Sequence, residues 1–404
     1  MDSLEVGKFA EKIKCIKRAV KIRLLPTREQ EILFWKSAGT ARWAYNYFLN
    51  ASEKAYKEGR ILRESEVRKY INNVLKKTTH TWLKEVGGNV MKQGVKDANL
   101  ALQRYFKGVS GKPKFKSRRK SKISFYVNYE TLKRTVNGFH GEKIGFVKTV
   151  TTLPKIAKDK KYVNPHISFD GKYWYLSVGY EVRQDKVELT DEIIGIDLGI
   201  KALAVVSNQD ASRTKYYKNI NKSAKVRRLE KKLRRAHRKA SRKLEANTKC
   251  RDENCRPIWK RTLRECRNLQ RQNQVLRQIY KKLTDIRNNY LHQITAEIVK
   301  TKPFQIVMED LNDKGMMKCK HLAEAIAKQK FYEFKRQIQY KAEAYGIKVV
   351  LADRFYASSK TCSHCGHIKH DLKLSARTYI CSICGANLDR DLNAAINLAN
   401  YKTA

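Results

Sequence analysis

The sequence predicts a multidomain α/β protein, and three observations carry that expectation. Its 404 residues are 42% hydrophobic and 10% aromatic, enough for two or three packed cores and too many for wholesale disorder. The hydrophobic pattern changes in blocks, from helical to alternating, then to a strongly basic helical stretch and back to apolar strands. Lys and Arg number 87 against 39 Asp and Glu, a net charge of +48. A compact chain so basic repels itself, so its working state is expected to include a polyanion. Chemistry on small neutral metabolites is disfavoured on the same ground.

Taken in order, Val20-Lys21-Ile22-Arg23-Leu24 alternates apolar and basic residues as a half-buried strand does, and Pro26 ends it. Thr27 to Gln30 reads as a capping box. It opens a helix through Leu49 whose aromatics, Trp35, Trp43, Tyr45, Tyr47 and Phe48, are read mostly as core. Helical stretches near 64–77 and 90–106 follow. Gly111 to Lys120 is a basic, turn-rich linker. From Ser121 to Val187 the pattern is β, with turn signals at Asn137-Gly138 and Asp170-Gly171. This segment is expected to form a small β-barrel or sheet, with a boundary near Thr190.

The second half opens on an apolar strand, Ile193 to Ile196, that ends at Asp197 and turns through Leu198-Gly199 into Ala202–Ser207. Two helices then carry narrow apolar stripes. Val226, Leu229, Leu233, Ala236, Ala240 and Leu244 mark the first, and Leu269, Leu276, Ile279, Leu283, Ile286, Leu291, Ile294 and Ile298 the second. They predict a helical hairpin with a cationic outer face. Between Ala211 and Tyr290, 27 bases face only 6 acids, so Arg227, Arg228, Arg234, Arg235 and Arg238 are expected to contact phosphate. A strand from Gln305 ends at Glu309, a helix spans Leu322–Tyr345, and another strand, Lys348–Leu351, ends near Asp353. A final helix runs from about Arg390 to Tyr401.

Two constellations carry chemistry. Cys362-x2-Cys365 and Cys381-x2-Cys384, with fifteen residues between the pairs, have zinc-ribbon spacing. Each pair puts two thiolates on a tight knuckle, and Gly366 and Gly385 let the backbone turn. Four thiolates fill the tetrahedron, so the Zn²⁺ is expected to be structural, without His364, His367 or His370. Cys250, Cys255, Cys266 and Cys319 are loosely spaced with no evident fourth ligand, and no metal is assigned to them.

The other constellation is Asp197, Glu309 and Asp391, each at a strand end or helix start. Hydrolysis of a phosphodiester with two divalent metals needs converging oxygen ligands of this kind. Their placement predicts a ribonuclease H-like arrangement. The Ile194-Gly195-Ile196-Asp197-Leu198-Gly199 turn also opens sugar kinases and actin-like ATPases, but this chain has no second glycine-rich phosphate loop and carries +48. Asp389 and Asp310 are read as supporting or surface groups. Met1 to Lys14 mixes acids and bases without a signal-like apolar run, and no run of about eighteen apolar residues occurs. With nine cysteines, an odd number, the expectation is a reducing, cytoplasmic and nucleoid-associated setting with no membrane partner.

Cys362-Ser363-His364-Cys365-Gly366, then Arg377 to Gly385, then Asp389-Arg390-Asp391-Leu392-Asn393-Ala394-Ala395-Ile396-Asn397 resemble the C-terminal signature of the TnpB family. These are transposon-encoded RNA-guided DNA endonucleases related to miniature type V CRISPR effectors. Arg23 to Gln30 with Ala41-Arg42-Trp43-Ala44-Tyr45-Asn46 resembles the family's opening, Pro113-Lys114-Phe115-Lys116 its linker, and Gly195 to Lys201 its first RuvC motif. The resemblance implies a β-barrel wedge domain (1–26 and 118–190), an α-helical recognition domain (27–117) and a RuvC nuclease domain (191–357 and 388–404). A zinc-ribbon target-nucleic-acid-binding module (358–387) is inserted in the last. It also implies two Mg²⁺ ions on Asp197, Glu309 and Asp391, Arg377 near them holding substrate phosphate, and Gln93 against a short motif flanking the target. Guide RNA and double-stranded target DNA are the implied partners of a monomer. The alternatives are a CRISPR effector, which would work as a dimer, and a nuclease-inactive RNA-guided regulator. One departure stands out: the segment between Asp197 and Glu309 is longer than the family's, with Cys250 to Cys266 inside the excess.

Overall fold

The computed structural model describes residues 15–118, 121–157, 159–183, 187–263, 265–373 and 376–402. The charged leader before Cys15, and Arg119-Lys120 of the basic linker, lie outside these residues. The chain divides into two compact units, Met1–Arg183 and Gln184–Ala404.

In the first unit, β1 (Cys15–Leu25) leads into α1 (Arg28–Lys57), α2 (Glu64–Tyr70) and α3 (Gly88–Phe106). Strands β2 (Ile123–Tyr126), β3 (Lys133–Arg134), β4 (Gly138–Gly141), β5 (Gly145–Thr149), β6 (Val163–Phe169) and β7 (Trp174–Arg183) complete a seven-stranded sheet, ordered β2-β6-β7-β1-β5-β4-β3. β2 and β3 are its edges, and among the described residues no ladder joins them. The alternation in β1 is explained by Ile22 and Leu24, which enter a core with Phe34, Phe125, Phe139, Ile167 and Trp174. The capping box forms as its sequence suggests: Gln30 N–H donates to Thr27 Oγ1 at 3.3 Å, and Thr27 N–H to Gln30 Oε1 at 3.0 Å. α1 runs past Leu49 to Lys57, because Ala51 to Lys57 holds good helix formers and nothing breaks it before Gly59 in the left-handed region. The helix expected over 64–77 instead loosens after Tyr70 into a π turn, Ile71–Leu75, where Asn72-Asn73 favours helix poorly. Asp170-Gly171 makes the β6–β7 hairpin, with Gly171 at φ +99°.

In the second unit, β8 (Ile193–Leu198), β9 (Ala202–Asn208) and β10 (Lys215–Lys218) are antiparallel neighbours. Next come α4 (Ala224–Ala246), the short hairpin β11 (Thr248–Arg251) and β12 (Pro257–Trp259), and α5 (Arg267–Lys300). β13 (Gln305–Glu309) follows, then α6 (Asp313–Met316), α7 (Lys320–Gln329), α8 (Phe331–Tyr345) and β14 (Lys348–Ala352). β13 lies parallel between β8 and β14, giving the order β10-β9-β8-β13-β14. The single helix expected over 322–345 is two, because Lys330 turns into the left-handed region at φ +58°. Gln329 and Lys330 fix that break by donating to Gly199 O at 2.9 Å and Asn288 Oδ1 at 2.6 Å. β15 (Thr378–Ile380) and β16 (Asn387–Asp389) pair as a hairpin, and α9 (Arg390–Ala399) closes the unit.

Ile194, Ile196, Ile306 and Met308 face a core shared with α5, α7 and α8. The alternate residues of the same strands face α9, where Val307 packs with Leu398. The hairpin of α4 and α5 has a separate core of Val226, Ala236, Leu276, Ile279 and Leu283. No described helix is long and apolar enough to cross a membrane.

Candidate active site and metal centre

β8 and β13 run parallel in register, Ile196 opposite Met308, so Asp197 and Glu309 end neighbouring strands on the same face. That face is covered by α9, and the covering depends on Gly195. A carbon added at Gly195 would lie 2.0 Å from the Ala395 carbonyl oxygen and 2.4 Å from the Ala399 nitrogen. Only a bare backbone lets the Ala395-Ala399 side of α9 lie directly on the strand, and that approach carries Asp391, in the helix's first turn, to Asp197. Gly195→Ala is therefore expected to cost about 3 kcal/mol of stability, and a thermal melt is the check. An unshifted melt would mean that α9 does not sit on the strand.

The remaining groups hold the three carboxylates in place. Asp389 caps α9, its Oδ1 accepting from the N–H groups of Asp391 at 3.0 Å and Leu392 at 3.1 Å. Ser358, itself buried, donates its hydroxyl to Glu309 Oε1. Arg390 Nη2 lies 3.6 Å from Asp391 Oδ1, both side chains largely buried. Burial, then the charges of Glu309 and Asp391, push the Asp197 carboxyl well above the usual carboxylate range, and Arg390 opposes them. Burial also raises Glu309, against the Ser358 hydrogen bond. A cleft of about 550 Å³ opens beside Asp389 and Asp391, lined among others by Lys201, Lys218, Lys222, Tyr216 and Tyr290.

Arg377 is exposed and makes no side-chain ion pair among the described residues, although its carbonyl accepts from Arg390 N–H at 2.8 Å. Arg390, which sequence reasoning did not single out, is the guanidinium that acts on the carboxylates. Its only signal was its place next to Asp391.

The four cysteines gather with their sulfurs all within 4.8 Å of one another. Cys362 and Cys384 are 3.6 Å apart, as are Cys365 and Cys381. A disulfide would need about 2.05 Å, whereas sulfurs around one zinc, each about 2.3 Å from it, sit roughly 3.8 Å apart. The donor set therefore fits Zn²⁺. Gly366 and Gly385 take φ of +76° and +70° in the two knuckles. N–H groups of Cys384 and Ile383 hold the Cys381 thiol down, at about 6, whereas burial and the neighbouring sulfurs raise Cys365 and Cys384. Two asparagines tie the module to α9. Asn393 accepts from Ser363 N–H at 2.9 Å and donates to Thr361 O at 2.7 Å, and Asn397 donates to Ser358 O at 2.7 Å and to Thr361 O at 2.6 Å. They too were missed, although polar residues four apart on an alanine-rich helix were a readable signal.

The other sequence candidates lie elsewhere. Arg227, Arg228, Arg234, Arg235 and Arg238 are all exposed on α4. Gln93 is half-buried on α3, donating to Asp97 Oδ1 at 2.7 Å in a small cleft with Arg42, Lys116, Tyr126 and His166. Cys250 and Cys255 are exposed in the β11–β12 hairpin and Cys266 precedes α5; none joins a metal-donor group among the described residues.

Three domain families match the chain in order: a helix-turn-helix domain of IS605 OrfB proteins over residues 16–60, the "Probable transposase" domain of OrfB over 177–320, and a Cas12f1-like TNB domain over 331–398. A Streptomyces pristinaespiralis protein named "Putative RNA-guided DNA endonuclease" is 27% identical, covering 95% of this chain and 89% of its own. Escherichia coli K12 "Putative RNA-guided DNA endonuclease InsQ" is 24% identical over 94% of this chain and 91% of its own. A cryo-EM structure of a Cas12f1–sgRNA–target DNA complex shares the fold with a TM-score of 0.57 at 14% identity, covering 96% of this chain and 99% of that one. OrfB and Cas12f1-like domains thus match in sequence order along its length, and in this the chain is similar to the TnpB family.

Proposed function

We propose that the protein is an RNA-guided DNA endonuclease that hydrolyses phosphodiesters at Asp197, Glu309 and Asp391. One observation carries the reading: three carboxylates from separate elements meet at one end of a sheet, in a chain of net charge +48. Acids that raise each other's proton affinity this way are stabilised as anions by bound cations. Three antiparallel strands followed by two parallel ones, with α9 crossing the strand ends, support a ribonuclease H-like, RuvC-type domain.

Two Mg²⁺ ions held by the three carboxylates would activate the attacking water and stabilise the leaving 3′ oxygen. Ser358 orients Glu309, and Asp389 fixes Asp391 by capping its helix. Arg390 balances part of the negative charge, and Arg377 reaches from the surface toward substrate phosphate. The cleft of Lys201, Lys218, Lys222, Tyr216 and Tyr290 receives the strand being cut. The four cysteines hold one structural Zn²⁺ in a target-nucleic-acid-binding module, 358–387. Guide RNA lies on the basic hairpin at Arg227, Arg228, Arg234, Arg235 and Arg238, and pairing with the target carries most of the sequence information. Gln93, in the helical recognition domain (27–117), reads a short motif flanking the target, beside a wedge domain built from 1–26 and 118–190. The working form is a cytoplasmic, nucleoid-associated monomer. The resemblance to Cas12f1 keeps a CRISPR effector as the second reading; a repeat array rather than transposon ends beside the gene would favour it. A nuclease-inactive regulator is disfavoured because all three carboxylates stand.

The purified protein is expected to carry one discrete structured RNA after washing in moderate salt, and that complex should cut a plasmid bearing the matching target. RNA sequencing that finds only random cellular fragments would overturn the guided reading. Steep weakening with salt accompanies either result, since counterion release follows any phosphate contact.

A further inference from the structure

The segment after β14 is fastened to the carboxylate site at both ends. Ala352 lies opposite Glu309 in the ladder. Arg354 Nη2 donates to Asp310 Oδ2 at 2.7 Å, and Ser358 donates to Glu309, so two consecutive residues of one strand end hold the loop at two points. Asp353 closes a tight turn between them, its Oδ1 accepting from Phe355 N–H at 2.8 Å and its carbonyl from Tyr356 N–H at 3.0 Å. Tyr356 packs edge-on against Tyr401 at 4.8 Å and donates its hydroxyl to Asn397 O at 3.1 Å. Every residue around Phe355 is thus committed, while Phe355 is 90% exposed, more than any other large apolar side chain among the described residues.

Internal packing does not account for this ring. An exposed Phe forgoes about 2–3 kcal/mol that burial would give, and here the backbone is held so that the ring stays out. We propose that Phe355 is a substrate-positioning residue that stacks on an unpaired base of the DNA strand entering the Asp197–Glu309–Asp391 site. The inference rests on the endonuclease reading and adds a contact to it. A ring on a fastened loop loses little freedom when a base lies on it, and stacking tolerates any sequence because every base has a π face. The occupant is nucleic acid rather than an apolar protein surface because the ring is flanked by Arg354, itself half exposed, in a chain of net charge +48. The Ser358–Glu309 link makes the stacked base and the carboxylate parts of one frame, so the stack sets where the backbone phosphate falls.

The test uses the RNA–protein complex and a matched target carrying 2-aminopurine near the cut position. Because Phe355 buries almost nothing, Phe355→Ala should fold as the wild type does. It is expected to raise the half-saturating target concentration about tenfold to a hundredfold and to leave the 2-aminopurine unquenched. Phe355→Trp should restore both readings and Phe355→Leu neither, which separates stacking from plain apolarity. Wild-type behaviour of Phe355→Ala, or full rescue by Phe355→Leu, would overturn the proposal. A wild-type complex that does not cut the matched target would instead overturn the endonuclease reading itself.

Discussion

Asp197→Ala is expected to abolish DNA cleavage while leaving guide-RNA and target binding largely intact, and Glu309→Ala and Asp391→Ala should do the same. Each substitution removes an oxygen donor and one of the charges that would hold two cations close together. A loss of several kcal/mol at the transition state corresponds to roughly a thousandfold or more in rate. Binding should survive because the exposed arginines of α4 carry none of the three carboxylates' hydrogen bonds or ion pairs among the described residues. Asp389→Ala is the informative control. It removes two capping hydrogen bonds, worth about 1 kcal/mol, and not a proposed ligand, so appreciable activity should remain. A plasmid cleavage assay with Mg²⁺, run beside a binding assay on the same target, reads both effects. Full cleavage by Asp197→Ala would overturn the site. An inactive Asp389→Ala with an active Asp391→Ala would show that the cap, rather than its neighbour, is the ligand.

Cys362→Ser or Cys384→Ser should take the zinc content from one per chain to none. Structural zinc contributes about 10–16 kcal/mol to folding of small modules, far more than the short β15–β16 hairpin and Tyr379 can supply without it. The module should therefore unfold locally. Helical circular dichroism should change little, because α4 and α5 pack on each other through their own core. Activity should fall as well, since the ties from Thr361 and Ser363 to Asn393, and from Ser358 and Thr361 to Asn397, lie between the ribbon and the helix bearing Asp391. Elemental analysis decides the matter: unchanged zinc in Cys362→Ser would refute the ligand assignment.

What could be read from the sequence was what local pattern encodes. The capping box at Thr27, the Asp170-Gly171 hairpin, the stripes of α4 and α5 and the cysteine spacing are all short-range signals, and each has its counterpart in the structure. The break at Lys330 was hidden because it depends on Gln329 reaching Gly199, 130 residues away in the chain. The same holds for Arg390. Its neighbour Asp391 is conspicuous as a carboxylate, but the arginine's effect on Asp197 exists only once α9 lies across β8. Gly195 shows the limit most clearly. It reads as part of a strand-turn motif, whereas its need to be glycine comes from a helix two hundred residues later.

The long connection between β10 and β13 has an architectural consequence. α5 is one continuous helix of 34 residues, about 51 Å; Leu276, Ile279 and Leu283 belong to the hairpin core, and its last turns, from Leu291 to Val299, belong to the sheet core. The two cores share a helix but no buried side chain. Residues can therefore be added or removed at the β11–β12 end, by whole turns of α4 and α5 together, without repacking anything beneath Asp197 or Glu309. Lengthening a connection whose ends are already joined costs little, growing only with the logarithm of its length. The outer hairpin is thus an arm whose length can change while the base that carries the carboxylates keeps its packing.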